Sequence, residues 1–150
     1  TELNVKLLET EHAIRQGADE IDYVVNLTEL KSGNWDLVRK EMDRITRLCH
    51  QYEKICKVIF ETCYLTEEEK IEMCHAVTAA GADFIKTSTG FGTGGATLED
   101  VCLMKEHIGP NVKIKAAGGI RSKEDMEQYI EAGCSRIGTS SAISMLQDGE

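Results

Sequence analysis

Lys86 lies in Ala82-Asp83-Phe84-Ile85-Lys86-Thr87-Ser88-Thr89-Gly90, an amine placed near the end of an apolar, strand-forming run. Lysine is seldom buried without a reason, because dehydrating an ammonium is costly. A desolvated lysine gives up its proton more readily, and the free amine is a nucleophile that forms Schiff bases with carbonyl compounds. The other reading is a strand-end lysine whose ammonium reaches solvent, and this segment alone leaves both open. Lys115, in Ile114-Lys115-Ala116-Ala117-Gly118-Gly119-Ile120-Arg121, places a second amine near the end of another such run. Two ammonium groups a few ångströms apart disfavour each other's charge, which would leave one neutral near pH 7. Asp22, in Glu20-Ile21-Asp22, would be a proton-handling carboxylate if it shared their rim. Otherwise it is a strand acid hydrogen-bonded to a neighbouring loop. Lys113 has the strand parity of Lys115 but lies nearer the strand start, and it reads as solvated or structural.

Glycine-rich turns follow these runs. Residues 90–95 match G-x-G-x-x-G between a strand and a helix, the pattern of a dinucleotide site. The acid such a site needs about twenty residues on is missing, since the next strand ends in Lys115-Ala116-Ala117, and a lysine before the loop has no task in a nicotinamide site. Gly118-Gly119 and the Gly138-Thr139-Ser140-Ser141 run read better as phosphate grips. Glycines let backbone N–H groups approach an anion, and serine hydroxyls with a following helix start add donors. Unoccupied tight turns are the plain alternative for each.

The elements that must position these groups alternate along the chain. Strands are predicted at 20–26, 56–62, 83–88, 112–116 and 136–139, and amphipathic helices at 2–16, 34–51, 66–80, 97–107 and 122–132. Trp35, Val38, Met42, Ile45 and Cys49 recur at three and four residues, as a core-facing stripe does. Thr66 with Glu69 forms a capping box, with weaker versions at Thr97/Asp100 and Ser122/Asp125. Gly17, Gly81, Gly109 and Gly133 fall where helices should stop. Three of those stops echo one another in Gly17-Ala18-Asp19-Glu20-Ile21-Asp22, Gly81-Ala82-Asp83-Phe84-Ile85-Lys86 and Gly133-Cys134-Ser135-Arg136-Ile137-Gly138. The shared phase predicts Asp22 and Lys86 at equivalent heights on one sheet face, a prediction that a one-residue slip would reverse. Strict alternation implies parallel strands with right-handed crossovers, and ligands gather at the carboxyl ends of such strands. Five β/α units in a single domain over residues 1–150 cannot close an eight-fold barrel, which takes about 250 residues. An open five-stranded doubly wound sheet fits the length as it stands.

Composition removes other classes. Net charge is −9 with no basic block, against a nucleic-acid partner. No apolar run is long enough to span a bilayer and the first residues do not form a signal peptide, so no membrane role is expected. An anionic substrate is repelled at long range, so a phosphate site must be built locally from lysines, backbone amides and helix N-termini. The six cysteines contain no C-x-x-C pair, and free thiols in a reducing cytoplasm are expected, with Cys63 just past a strand end the one to watch. The four histidines fall on helical stretches without partners at metal-ligand spacing.

These segments taken together resemble the deoxyribose-phosphate aldolase family. The resemblance rests on Glu20-Ile21-Asp22, Val58-Ile59-Phe60-Glu61-Thr62, the run from Phe84 through Lys86 and the glycine loop to Thr97, Lys115 to Arg121, and Arg136 to Ser141. It runs through nearly the whole chain in the family's order. It implies a β/α barrel of TIM type, of which this chain carries five of eight units, and reversible cleavage of 2-deoxyribose 5-phosphate to acetaldehyde and glyceraldehyde 3-phosphate. By the resemblance Lys86 is the Schiff-base lysine, Lys115 the lysine that perturbs it, and Asp22 part of the proton relay. Gly118, Gly119, Ser140 and Ser141 match phosphate-binding turns, with Gly90 and Gly138 as further contributors. No metal or cofactor is needed, because the iminium is itself the electron sink. Family members carry about three further units ahead of the position of Thr1, and the C-terminal tyrosine that some use in proton transfer has no counterpart in Gln147-Asp148-Gly149-Glu150. Open barrel edges near Asp22 and Ile137 would be covered by self-association. Two further readings stand beside an active aldolase: a remnant that binds phosphate or a partner without turnover, and a Schiff-base aldolase for another phosphorylated sugar.

Overall fold

A computed structural model describes residues 3–87, 97–117 and 122–138, the side chain of Cys63 excepted. Helix α1 (Leu3–Arg15) leads to strand β1 (Glu20–Val24), and a short helix α2 (Leu27–Lys31) precedes α3 (Trp35–Gln51). Strand β2 (Ile55–Ile59), a 3-10 turn at Thr62–Tyr64 and α4 (Glu67–Ala80) come next. The remainder is β3 (Phe84–Lys86), α5 (Leu98–His107), β4 (Lys113–Ala117), α6 (Lys123–Ala132) and β5 (Arg136–Gly138).

The helices start where their caps dictate. The Thr66 hydroxyl accepts from the Glu69 N–H at 3.1 Å while the Glu69 carboxylate accepts from the Thr66 N–H at 2.9 Å, the reciprocal pairing of a capping box. Thr97 and Ser122 accept from Asp100 and Asp125 in the same way. Asn26 caps α2 through the Glu29 N–H at 3.1 Å, a helix absent from the elements predicted from sequence, which end a strand at Asn26. Gly81 and Gly133 close α4 and α6 with φ of +77° and +121°, where a Cβ would be strained. Gly109 departs from the expectation of a left-handed helix stop. Its N–H donates to Thr78 Oγ1 at 3.1 Å, and a Cβ there would meet Thr78 Cγ2 at 2.7 Å, so close approach of α4 is what requires glycine.

All five strands are parallel and lie in the order β1-β2-β3-β4-β5. A doubly wound sheet reverses its strand order partway and carries helices on both faces. Here the order never reverses, and the helices pack in succession, α1 on α3, α3 on α4, α4 on α5 and α5 on α6. They therefore form one outer layer on one face of the sheet, which is barrel architecture, and the doubly wound alternative is set aside. β1 and β5 are the edges of the sheet among the described residues.

The two faces differ in chemistry. Ile21, Tyr23, Cys56, Val58, Ile85, Ile114 and Ala116 point to the helices and are buried with the α3 stripe of Val38, Met42, Ile45 and Cys49. Polar anchors fix the strands to that layer. Tyr23 donates to Glu41 at 2.5 Å and Lys6 reaches the same carboxylate at 2.7 Å, tying β1 to α3 and α1. Asp83 accepts from the Cys56 N–H at 2.9 Å and meets His50 at 2.8 Å, which explains the acid of the Gly-Ala-Asp echo as a brace between strands. The alternate residues of each strand face inward: Glu20 and Asp22, Lys57, Phe84 and Lys86, Lys115, and Arg136.

Candidate active site

Lys86 closes β3, and its backbone is locked on both sides. Its carbonyl accepts from the Phe60 N–H at 3.0 Å, and the N–H of the next residue, Thr87, donates to the Lys115 carbonyl at 3.1 Å. The fully buried Thr87 hydroxyl donates to the Ala117 carbonyl at 3.0 Å and accepts from the Ala117 N–H at 2.9 Å, so the ends of β3 and β4 move as one body. Lys86 and Lys115 are register partners on these adjacent strands and project to the same side.

Asp22 reaches Lys86 from β1. The Lys86 ammonium donates to Asp22 Oδ2 at 3.4 Å, and the other carboxylate oxygen, Oδ1, lies 3.2 Å from the Lys57 Nζ. Asp22 thus bridges two amines from β2 and β3, with the Lys86 side chain largely covered and the carboxylate more open. Lys57 itself is 6% exposed, and its second partner is Glu20 at 2.9 Å. Glu20 in turn accepts from Arg136 at 2.6 Å, whose guanidinium lies 4.5 Å over the Phe84 ring. In a flat sheet β1 and β5 would stand about 19 Å apart, four spacings of about 4.8 Å. Contact between Glu20 and Arg136 therefore requires the sheet to curl until its first and fifth strands face each other across the inner surface.

The charges act on one another. Burial holds the Lys115 amine below the ordinary lysine range, and the like charges of Lys57 and Lys86 push it further the same way, against Asp22 and Glu20. Burial also pulls Lys57 down, but its hydrogen bonds to Glu20 and Asp22 outweigh this and its ammonium is held above the usual range. The Lys57 hydrogen bond, with Arg136 behind it, keeps the Glu20 carboxyl below the usual range despite partial burial. The site therefore contains an amine that holds its proton less firmly than an ordinary lysine beside another amine, with a carboxylate oxygen in reach of the second. That set is able to pass a proton away from Lys86 and return it through Asp22.

The structure brings Asp22, Lys86 and Lys115 onto one face and sets Gly138 at the carboxyl end of β5, but not at the equal heights expected of Asp22 and Lys86: Asp22 is level with Lys57 and Phe84, two residues before Lys86, because β1 is staggered against β3. Gly90, Gly118, Gly119, Ser140 and Ser141 lie outside the described residues, as does the Cys63 side chain. Lys113 is exposed at the start of β4, as expected. Lys57, Glu20 and Arg136 were not singled out from sequence. Parity was the available signal, since Lys57 follows Cys56 and precedes Val58 and so alternates away from the apolar face. Among the described residues no cluster of three or more potential ligands fits a metal ion.

The chain is similar to known proteins in sequence and in fold. The family model described as DeoC/LacD family aldolase matches residues 1–147. A deoxyribose-phosphate aldolase of Clostridium botulinum strain Eklund 17B is 57% identical over 145 residues, which cover 97% of this chain and 65% of that protein. The solved structure of QR15, an aldolase, superposes with a TM-score of 0.91 at 46% identity, covering 99% of this chain and 66% of its own. The tetrameric deoxyribose phosphate aldolase of Aeropyrum pernix gives 0.87 at 33% identity, with 99% and 62% covered. The chain spans just under two thirds of the length of the curated relatives it matches. With the match extending over all five β/α units, the chain belongs to the DeoC/LacD family of aldolases.

Proposed function

We propose that this chain carries the Schiff-base machinery of a class I aldolase acting on 2-deoxyribose 5-phosphate, cleaved reversibly to acetaldehyde and glyceraldehyde 3-phosphate. The observation that carries the reading is the bridging carboxylate. Asp22 stands 3.4 Å from the Lys86 amine while Lys115, the next inward residue across the sheet, is pushed toward neutrality. In its neutral form Lys115 takes the proton of Lys86, whose free amine adds to the substrate carbonyl. Asp22 donates and accepts protons as the carbinolamine loses water to the iminium. The iminium then accepts the electron pair of the breaking carbon–carbon bond, so no metal or other cofactor is required for that step.

The phosphate would be held by Gly118 and Gly119, directly after β4, and by Ser140 and Ser141, just beyond the Gly138 that ends β5, with Gly90 contributing from the loop after β3. Their sequence positions at strand carboxyl ends, beside the lysines, support this. A relative being described as tetrameric and the two sheet edges left by β1 and β5 support homo-oligomer formation through those edges. A reducing, cytoplasmic setting is supported by the thiols. Cys49, Cys56, Cys74, Cys102 and Cys134 are free, and burial pushes Cys74 up to about 12 and Cys134 up to about 11, as inert core thiols. No helix among the described residues is long and apolar enough to cross a membrane.

Incubation with acetaldehyde and borohydride, followed by peptide mass spectrometry, tests the reading. An ethyl group reduced onto Lys86 is the expected product. An unmodified Lys86 in the folded chain overturns it, and phosphate-ester binding without adduct would instead identify a binding protein without turnover.

A further inference from the structure

The interior of the sheet holds an ion-pair chain that ends on Asp22 and whose other members the proposed reaction does not use. Arg136 on β5 donates to Glu20 on β1 at 2.6 Å, and Glu20 holds the Lys57 ammonium of β2 at 2.9 Å. Lys57 meets Asp22 Oδ1 at 3.2 Å. The guanidinium is seated 4.5 Å over the face of Phe84 on β3, a ring that is itself buried. Three strands, two of them the edges of the sheet, therefore converge on one carboxylate that touches no reacting atom.

We propose that Glu20, clamped by Arg136, is the positioning residue of this site: it shares Lys57 with Asp22, so that Lys57 occupies only Oδ1 of Asp22 and leaves Oδ2 turned to Lys86. The physical reason is competition. A buried ammonium with one carboxylate partner is drawn fully onto it, and a carboxylate that turns both oxygens to Lys57 turns away from Lys86. Glu20 supplies the second acceptor, and the planar Arg136 fork stacked on Phe84 keeps Glu20 from following Lys57 toward Asp22. The groups facing Lys57 and Lys115 inside the sheet are Glu20 and Asp22 from β1, Lys86 from β3 and Arg136 from β5, with Lys113 exposed at the β4 start. The chain thus couples the curl of the sheet to the direction of one carboxylate oxygen.

The consequence for chemistry rests on the aldolase reading, whereas the ion-pair chain is tested without it. Lysine side-chain amines are followed by NMR as pH is varied, in the full 150-residue chain and in Glu20→Gln and Arg136→Met. Loss of the nearby negative charge lowers the Lys57 and Lys115 midpoints by about half to one pH unit, and loss of the positive charge raises them by a similar amount. Opposite signs are the signature, since a variant that merely loosens the sheet would move both the same way. Unchanged midpoints in a folded Glu20→Gln chain overturn the proposal. Should both variants fail to fold, the Glu20 carboxyl is titrated in the parent chain, where a midpoint at the ordinary glutamate value overturns it and a depressed one supports it. In parallel, Glu20→Gln slows reductive trapping at Lys86 by about ten- to a hundredfold with half-saturating acetaldehyde unchanged, the pattern of a misdirected rather than missing group. Full trapping rate in Glu20→Gln overturns the positioning role. Absence of trapping in the parent counts against the aldolase reading alone, and the titrations still decide the ion-pair chain.

Discussion

Replacing Lys57 by methionine removes the ammonium that crowds Lys115, and the sign of the result is fixed by the structure. Lys57 is among the charges that hold the Lys115 proton affinity down, so its loss raises the Lys115 midpoint. Lys57 lies two interstrand spacings from β4 and level with Lys113, two residues before Lys115, which puts the two positions about 12 Å apart. Coulomb's law across effective dielectric constants of about 80 to 20 then gives about 0.3–1.4 kcal/mol, or about 0.2–1 pH unit. The neutral fraction of Lys115 falls by the same factor, so adduct formation on Lys86 slows by about two- to tenfold. The deficit closes as pH is raised past the new midpoint. The assay is the pH dependence of borohydride trapping with acetaldehyde in parent and Lys57→Met chains, at a temperature where both are folded. The variant is less stable at pH 7, because the raised Lys57 affinity contributes stability below the unfolded lysine range that methionine cannot supply. A trapping deficit of the same size at every pH, or a Lys115 midpoint that falls, would refute the electrostatic reasoning.

Lys115→Met should abolish fast trapping at Lys86 yet raise the thermal midpoint near pH 7. Lys115 has a depressed affinity in the fold, so its ammonium opposes folding at neutral pH and the opposition fades only as pH rises through its folded midpoint; a lower thermal midpoint in the variant would contradict this. Thr66→Ala removes the acceptor for the Glu69 N–H and should cost about 1 kcal/mol in urea unfolding, with no change counting against the capping box. Acid unfolding should begin as pH falls below about 4.3, since Glu20 and Glu69 have depressed affinities whose stability is present above that range and lost as each protonates; stability unchanged between about pH 5 and about pH 3 would contradict it. Gly109→Ala should destabilise by about 1–3 kcal/mol through the Thr78 methyl 2.7 Å from the new Cβ. Adding Thr78→Ser removes that methyl but keeps the hydroxyl bonds to Cys74 and Gly109, and recovers most of the loss.

The fold was legible where local chemistry is strong. Thr66, Thr97 and Ser122 announced their helices because a side-chain acceptor three residues before a free N–H is a purely local device. Parallel order also followed from alternation, although choosing between a barrel and a doubly wound sheet needed the helix layer, which depends on contacts between α1, α3, α4, α5 and α6 that no local pattern encodes. Gly109 marked the end of α5 as expected, but why glycine stands there was hidden for the same reason. A glycine after a helix is ambiguous between left-handed backbone and close approach, and only the position of Thr78 distinguishes them. At the site, Asp22, Lys86 and Lys115 stood out by residue type against apolar neighbours. Lys57 was hidden inside a run read as a buried strand, and Glu20 and Arg136 at strand starts, because their meeting depends on curvature accumulated over five strands.

That curvature also resolves the tension between a chain of net charge −9 and the anionic substrate proposed for it. Surface charge is screened over about 8–10 Å in physiological salt, whereas groups inside a curled sheet are screened much less. The inner surface sets two carboxylates, Glu20 and Asp22, against a guanidinium and three amines, Arg136, Lys57, Lys86 and Lys115. With every amine protonated the patch is positive, a favourable end point for a phosphate ester and an unfavourable place for one more ammonium proton. The proton given up most readily is that of Lys115, which lies between Lys86 and Arg136 in register and lacks the carboxylate contact that secures Lys57. Attraction of the substrate and neutralisation of an amine are thus two outcomes of one excess of positive charge. A substitution that removes a cation from this face should weaken phosphate-ester binding and raise the Lys115 midpoint together, and a variant that separates the two effects would show that the charges act on Lys115 by contact rather than by field.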